Sequence, residues 1–423
     1  MNILLLGASG FIGRHLACHL SQAGHRVIGV SRNPDHNNPH VAQWHRADLN
    51  TLLTPASWLP LLHDVDVAIN AVGILTEAGD NRFDTLHAKM PSALFLACEK
   101  ARVCRVIQIS ALGAAVDAPT EYWRSKARAD EVLLSRALSG YVLRPSVVFG
   151  PDGDSSRVMM QLATLPALML PEGGQYTMQP VHIDDLCGLI LRLLSEEPAV
   201  QRVIEVVGPR PMSMRDYIVT LRNGMGLGGQ WVVAMPANLA DLAARLAQHI
   251  PGSVFNPDSL TMLRVGNIAP TGTTQSLLSR EPRDPATFAG SAERNPAAWG
   301  WLGPLMRLSL AFVWLWTAWV SLFAFDRAQS LAWLAACHIP ADVAPAVLIG
   351  ASMADALIGL ALLLRPPRWI WPTQLLVMGG YMVMLTTCLP SFWLHPFGPL
   401  SKNLPILASV IVLWMMAPAR SAR

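Results

Sequence analysis

Tyr122 and Lys126 are separated by three residues in Tyr122-Trp123-Arg124-Ser125-Lys126, a spacing that puts both side chains on one face of a helix. An ammonium close to a phenol favours the phenolate, so the pair predicts a tyrosine with its acidity drawn toward the range useful for proton transfer. Ser110 closes an apolar run over 103–110, where its hydroxyl could hydrogen-bond a substrate carbonyl oxygen. The chain holds five tyrosines and four lysines in 423 residues. Chance would give this spacing only about 0.05 times. The bland alternative is a surface helix pair that has lost its chemistry.

Proton transfer to a carbonyl can accompany hydride transfer from a bound nucleotide, and the N-terminus supplies the elements to hold one. Ile3-Leu4-Leu5-Leu6 is a short run apolar at every position, as in a parallel strand buried on both faces. Gly7-Ala8-Ser9-Gly10-Phe11-Ile12-Gly13 follows, then a helical stretch to Gly24 and a second apolar run over 25–30. This is the mononucleotide-binding unit, with Gly7 for the tight turn, Gly10 for approach of a pyrophosphate and Gly13 for close helix packing. The helix start offers unpaired N–H groups to phosphates, making Gly7, Ser9, Gly10, Phe11, Ile12 and Gly13 the candidate cofactor contacts.

The second strand ends in Val30-Ser31-Arg32-Asn33, without the carboxylate that would accept from a ribose 2′-hydroxyl. Ser31 and Arg32 suit a 2′-phosphate, so NADP(H) is favoured over NAD(H); the alternative is that Arg32 is a solvated loop residue. Asp48, after a short third strand, is placed either to bond an adenine amine or to cap a helix. Asn70-Ala71-Val72-Gly73 ends a fourth strand with small residues, leaving room for a nucleotide beside Ala71, Val72 and Gly73.

Further apolar runs over 65–73, 103–110, 141–148 and 203–207 alternate with helical stretches over 83–100 and 122–138. The βαβα order predicts an α/β Rossmann-type doubly wound parallel sheet. Together with Arg144-Pro145-Ser146-Val147-Val148-Phe149-Gly150-Pro151, these motifs resemble the extended and atypical short-chain dehydrogenase/reductase superfamily. Ser110-Ala111-Leu112-Gly113-Ala114 and Gln179-Pro180-Val181-His182-Ile183-Asp184-Asp185 are most similar to the branch containing the nucleotide-binding accessory subunit of respiratory complex I. The resemblance covers about residues 1–270, with 151–270 as a small substrate-side region. It implies tightly bound NADPH, often without demonstrated turnover. Met159-Met160 through Pro171 reads as an apolar segment, either a lid for a greasy substrate or core.

Composition narrows the remaining classes. The chain is 52% hydrophobic and 14% charged with net charge +3, and it has no basic stripe to meet nucleic acid. The six cysteines lack metal-site spacing and read as buried small hydrophobes in a reducing compartment. His36, His40 and His45 cluster without an acidic or Cys ligand, so no metal is expected. The apolar start has no basic flank and breaks at Gly7, so it reads as a strand that leaves the first domain in the cytoplasm.

After a Pro-, Gly- and Ser-containing stretch over 271–303, read as a linker lying against the first domain, residues 304–423 change character. Apolar stretches lie at about 305–325, 343–364, 370–389 and 404–417, predicting an all-α membrane bundle of about four transmembrane helices. Trp299, Trp301, Trp369, Trp371 and Trp393 mark its edges. With both ends cytoplasmic, Arg365, Arg368, Arg420 and Arg423 face inward, and only Arg327 and Lys402 lie in outer loops. This places the chain as a multi-pass protein of the cell inner membrane. Arg307-Leu308-Ser309, Ala354-Asp355-Ala356-Leu357-Ile358-Gly359 and the segment from His395 to Pro405 resemble the DoxX-like family, some relatives of which are associated with quinone-linked oxidation. Asp355, the one carboxylate deep in a span, should face the bundle toward Tyr381 or Ser309, either as a functional site or as a structural hydrogen bond.

Three functions fit these residues. The leading one is a membrane-anchored NADPH-dependent oxidoreductase reducing a carbonyl, quinone or other lipophilic substrate, with the lipid bilayer and a respiratory-chain or quinone partner implied. The second is a non-catalytic, NADPH-binding structural or assembly factor of a respiratory complex. The third is a nucleotide-sugar type epimerase or dehydratase.

Overall fold

The computed structural model describes residues 1–197, 202–250, 253, 255–364 and 366–417. Two compact units divide the chain, Met1–Ala297 and Ala298–Arg423.

The first unit is organised on a seven-stranded parallel sheet. Its strands are β1 (Asn2–Leu6), β2 (Arg26–Ser31), β3 (Gln43–Arg46), β4 (Val67–Asn70), β5 (Arg105–Ile109), β6 (Ser139–Pro145) and β7 (Arg202–Val206). Their order is β7-β6-β5-β4-β1-β2-β3, which reverses direction beside β1 and opens a crevice at the carboxyl ends of β1 and β4. Register pairs Leu4 with Ile28 on one side and Ala68 on the other. Alternation along β1 then feeds two cores. Ile3 and Leu5 pack with α1 (Phe11–Gln22) on one face, while Leu4 and Leu6 pack with α2 (Met90–Ala101) on the other. Both faces are buried, so the strand has no polar alternation, and each such leucine contributes about 1.5–3 kcal/mol.

Local hydrogen bonds set boundaries that differ from the apolar runs. β4 stops at Asn70, short of 73, because the Asn70 Oδ1 accepts from the Val72 N–H at 3.2 Å and turns the chain out of the sheet. The helical stretch over 83–100 begins instead with a wide π-turn, Asp84–Lys89, and α2 ends at Arg102, which adopts φ 55°. α3 (Glu121–Leu134) carries Tyr122 and Lys126 and ends before 138.

A smaller region follows. Helix Asp154–Thr164 leads into strand Ala167–Pro171, which pairs in parallel with Trp231–Met235. Met160, Leu168 and Leu170 are buried with Tyr217 and Leu221, so these residues of the methionine-rich segment are core, while Met169 between them is exposed. Within 271–303, helix Gly272–Leu278 sends Leu277 into the main core, and Thr274 bonds the backbone of Val207 and Glu205. A long helix, Ser291–Trp319, then begins in the first unit and continues into the second.

In the second unit that helix runs on to Ala324, followed by helices Arg327–Ala336, Ala344–Leu363, Ile370–Cys388 and Asn403–Met416. Among the described residues, two helices are long and apolar enough to cross a membrane, Ser291–Ala324 and Ala344–Leu363. Ile370–Cys388 is diluted by Pro372, Thr373, Gln374 and two glycines, and Asn403–Met416 has 14 residues against the roughly 20 a span needs. Arg327 is not in a loop: Asp326 caps a helix there, accepting from the Ala328 N–H at 3.0 Å. Arg365, Arg420 and Arg423 lie outside the described residues. Leu310, Trp314, Ile358, Leu362, Met378 and Val410 form this unit's core. Of the six cysteines only Cys98 and Cys187 are buried; Cys104 is exposed and the others are half-buried.

Candidate active site

The glycine turn has little freedom to be anything else. Gly7 adopts φ 75°, and the Gly10 N–H closes onto the Gly7 carbonyl at 2.8 Å. A Cβ on Gly13 would stand 1.9 Å from that same carbonyl oxygen. α1 starts at Phe11 with no side-chain cap and no acidic residue in its first turn. Its orphan N–H groups, with the positive end of the helix dipole, therefore suit the phosphates of a dinucleotide. The Ser9 carbonyl accepts from Arg14, which also pairs with Asp152 at 2.9 Å, and His15 holds the other Asp152 oxygen at 2.8 Å. Phe11 lies against Gly150 and Gly153, where a Cβ would meet its ring at 2.7 and 3.1 Å. This clip through Asp152 anchors the helix start and was not foreseen; its signal was the Gly-Pro-Asp-Gly turn at 150–153.

At the end of β2, the Ser31 hydroxyl bonds the backbone of Asn33, and Arg32 is exposed with no partner among the described residues. Asp48 neither caps a helix nor lies free. Its Oδ1 accepts from the backbone and side-chain N–H groups of Asn50 at 3.0 and 3.1 Å, forming an Asx turn. The backbone of Ala71 and Val72 packs against the glycine turn, at 3.0 and 3.3 Å from where a Gly7 Cβ would be. Gly73 faces Lys126, whose Nζ would be 3.5 Å from a Cβ there. The glycine turn, the β4 end and Lys126 thus converge on the carboxyl edge of the sheet.

Lys126 is buried and donates to the Ile109 carbonyl at 3.3 Å. Burial pushes its ammonium down to about 8, with Asp130 partly opposing. Its Nζ sits over the Tyr122 ring, 5.7 Å from the centroid. The expectation of an acidified tyrosine is not met. Burial dominates and pushes the Tyr122 phenol up to about 12, so the residue is a protonated acid at neutral pH. Phe83 and His87 pack edge-on against the same ring, at 6.0 and 5.5 Å.

His87 lies in the π-turn and locks this arrangement. Its Nε2 accepts from the Ile74 N–H at 3.0 Å, which leaves the proton on Nδ1 facing the Ser125 hydroxyl at 3.1 Å. Ser125 passes the chain on to the Tyr122 carbonyl at 2.9 Å. Burial, then Lys126, push His87 down to about 2, so it stays neutral and acts as a brace between α3 and the loop after β4.

Ser110 does not take the place expected of it. It is buried, and its hydroxyl donates to Asp130 Oδ2 at 2.7 Å. Arg144 donates to the same oxygen through Nε and Nη2 at 3.2 and 3.1 Å. Burial raises the Asp130 carboxyl against the pull of Ser110 and Arg144, and its Oδ1 has no partner. A hydroxyl has one hydrogen to give, so in this arrangement Ser110 has none for a substrate carbonyl. Asp130 falls one helical turn after Lys126, a spacing visible in the sequence.

In the second unit, Asp355 is buried and accepts from the Tyr381 hydroxyl at 3.2 Å. Ser309 is turned to its own helix, donating to the Leu305 carbonyl at 3.0 Å. The Gln374 side chain accepts from Trp314 Nε1 at 3.0 Å, giving the same bundle a second buried polar pair.

Residues 3–206 match the NAD dependent epimerase/dehydratase family, and residues 311–411 match the DoxX-like family. Among curated proteins, the mitochondrial NADH dehydrogenase [ubiquinone] 1 alpha subcomplex subunit 9 of Arabidopsis thaliana is 27% identical over 219 residues, 48% of this chain and 53% of that one. The mitochondrial NADH-ubiquinone oxidoreductase 40 kDa subunit of Neurospora crassa is 24% identical over 49% of this chain and 55% of its own length. A protein of Caulobacter vibrioides named ceramide reductase is 26% identical over 43% and 57% respectively. The chain spans about half the length of the curated relatives it matches. Among solved structures, MoeE5 in complex with UDP-glucuronic acid and NAD aligns with TM-score 0.54 at 20% identity, over 70% of this chain and 98% of that one. The UDP-glucuronic acid 4-epimerase of Bacillus cereus gives 0.52 at 21%, over 70% and 99%.

Proposed function

We propose that this chain, an NAD-dependent epimerase/dehydratase-like domain followed by a DoxX-like domain, is a membrane-bound NAD(P)H-dependent reductase of a carbonyl or quinone group on a lipophilic substrate. The observation that carries this reading is the Tyr122–Lys126 pair at the sheet edge where the glycine turn and Gly73 also lie. The cofactor, when bound, supplies hydride. Gly7, Ser9, Gly10, Phe11, Ile12 and Gly13 would hold its pyrophosphate, Ala71, Val72 and Gly73 would border it, and Asp48 would lie at the adenine. Ser31 and Arg32 favour NADPH over NADH through the 2′-phosphate.

Tyr122, protonated at neutral pH, would give its hydroxyl hydrogen to the substrate oxygen on which negative charge develops during reduction. Lys126 would stabilise the phenolate left behind, and its ammonium would hold the nicotinamide ribose. His87 fixes the distance between Tyr122 and the β4 loop. Similarity to a protein named ceramide reductase supports a lipid carbonyl as the group reduced. The DoxX-like domain supports a bilayer setting. Inner-membrane placement with the nucleotide domain cytoplasmic rests on the basic residues of the sequence.

The commitment of Ser110 to Asp130 favours a second reading, a bound-cofactor structural subunit such as the complex I relatives suggest. The deciding experiment purifies the full chain in detergent, measures bound nicotinamide by fluorescence, and offers short-chain quinones and long-chain aldehydes beside Tyr122→Phe. Turnover that disappears in the variant, with cofactor still bound, supports the reductase. Bound cofactor that no acceptor oxidises, in either protein, leaves the structural reading.

A further inference from the structure

The small region of the first unit carries a helix packed the wrong way round. In α4 (Ala237–Ala247), the buried residues are the small ones, Ala240 and Ala244. The large ones, Leu239, Leu242 and Leu246, are exposed at 51%, 51% and 62%. At 100° per residue the three leucines fall within about 60° of one another, a single stripe. A helix whose task was only to pack would bury its leucines and show its alanines.

The strand that feeds α4 repeats the pattern. Register sets Val233 opposite Met169, and Trp231 lies two residues along on the same side. All three are exposed, Trp231 at 81%. Six large apolar side chains, five of them in two consecutive elements and Met169 on the paired strand, thus stand in solvent.

Charge identifies what covers them. Arg245 is exposed and flanks the leucine stripe. The one acid of the helix, Asp241, lies one turn before Arg245, about 100° or more from each leucine of the stripe, and is held by Arg264 at 2.8 Å, which also grips Glu172 at 2.7 Å. No carboxylate therefore borders the leucine stripe within the helix. A leucine face with an arginine at its margin, next in sequence to a strand that exposes a tryptophan, has the composition of a helix lying in a headgroup layer. The same polypeptide goes on to a helix of membrane-spanning length, Ser291–Ala324, so a bilayer is always within reach of the chain.

We infer that α4 and strand Trp231–Met235 form a lipid-docking surface, with Leu239, Leu242 and Leu246 entering the acyl boundary and Arg245 meeting anionic headgroups. This surface stands on exposure and charge alone and does not depend on the proposed activity. The test uses the full chain reconstituted in vesicles of phosphatidylethanolamine and phosphatidylglycerol containing a phospholipid with a diazirine in its tail. After irradiation, mass spectrometry should find lipid adducts on 231–250 as well as on the apolar helices of the second unit. Changing Leu239, Leu242 and Leu246 together to Ser should abolish the first set and keep the second. Arg245→Glu should weaken labelling of 231–250 in these vesicles and leave it unchanged in phosphatidylcholine. Adducts confined to the second unit would overturn the inference, as would labelling that persists in the triple variant. A protein cross-link at position 242, showing a second copy or another protein on the face, would overturn it too.

Discussion

Ser110 gives its hydroxyl hydrogen to Asp130 at 2.7 Å, inside the sheet edge and away from solvent. The bond ties the end of β5 to α3, the helix that carries the reacting pair, so its role is positional. Ser110→Ala should keep turnover within about threefold of the parent. Stability should fall by about 1–2 kcal/mol, read from denaturant melts of the full chain in detergent, since a buried carboxylate loses one of its donors. A loss of turnover as deep as that of Tyr122→Phe would return Ser110 to the reacting groups.

The buried Lys126 makes both rate and stability depend on pH, in opposite directions. Its ammonium is held near 8, against 10.5 for a free side chain. Above about 8 the cation is lost while Tyr122, near 12, keeps its proton, so reduction should be flat below that pH and decline through it. Between 8 and 10.5 the unfolded chain retains a proton that the folded chain has released, so this residue makes stability rise with pH across that window. Lys126→Met should flatten both profiles. A rate profile unchanged in Lys126→Met would remove the lysine from the mechanism.

Cofactor choice should turn on Arg32. With no carboxylate at the end of β2 and a guanidinium free of partners among the described residues, Arg32→Glu should weaken NADPH by about tenfold or more while NADH holds or gains. Fluorescence titration of both nucleotides reads this directly. Equal affinities before and after the change would mean that the 2′-phosphate is bound elsewhere.

Orientation has its own test. A reporter fused after Arg368 should be active only in the cytoplasm, and one fused after His338 only outside. Reversal of that pair would contradict the positive-inside argument.

The strands were legible because parallel strands buried on both faces leave unbroken apolar runs, as at Ile3–Leu6. Their ends were less so: Asn70 stops β4 with its own side chain and Arg102 closes α2 in a left-handed turn, and neither leaves a trace in hydropathy. Helical spacing exposed Tyr122 and Lys126 as neighbours. It could not give the burial of the phenol, and that burial decides whether the phenol is acidified. The partner of Ser110 was equally hidden, because the contact joins a strand end to a helix twenty residues on. In the membrane part, length and apolarity located the stretches, but helix Arg327–Ala336 went unread although Asp326 signals its start.

Gly13 has a genetic consequence. A Cβ there would collide with the Gly7 carbonyl at 1.9 Å, and backbone cannot swing aside as a side chain can. Every substitution at the first or second base of a glycine codon introduces a side chain or a stop. At this locus only third-base variation can therefore persist, and a population of such genes would drift in silent changes alone at codon 13 while the codons around it diversify.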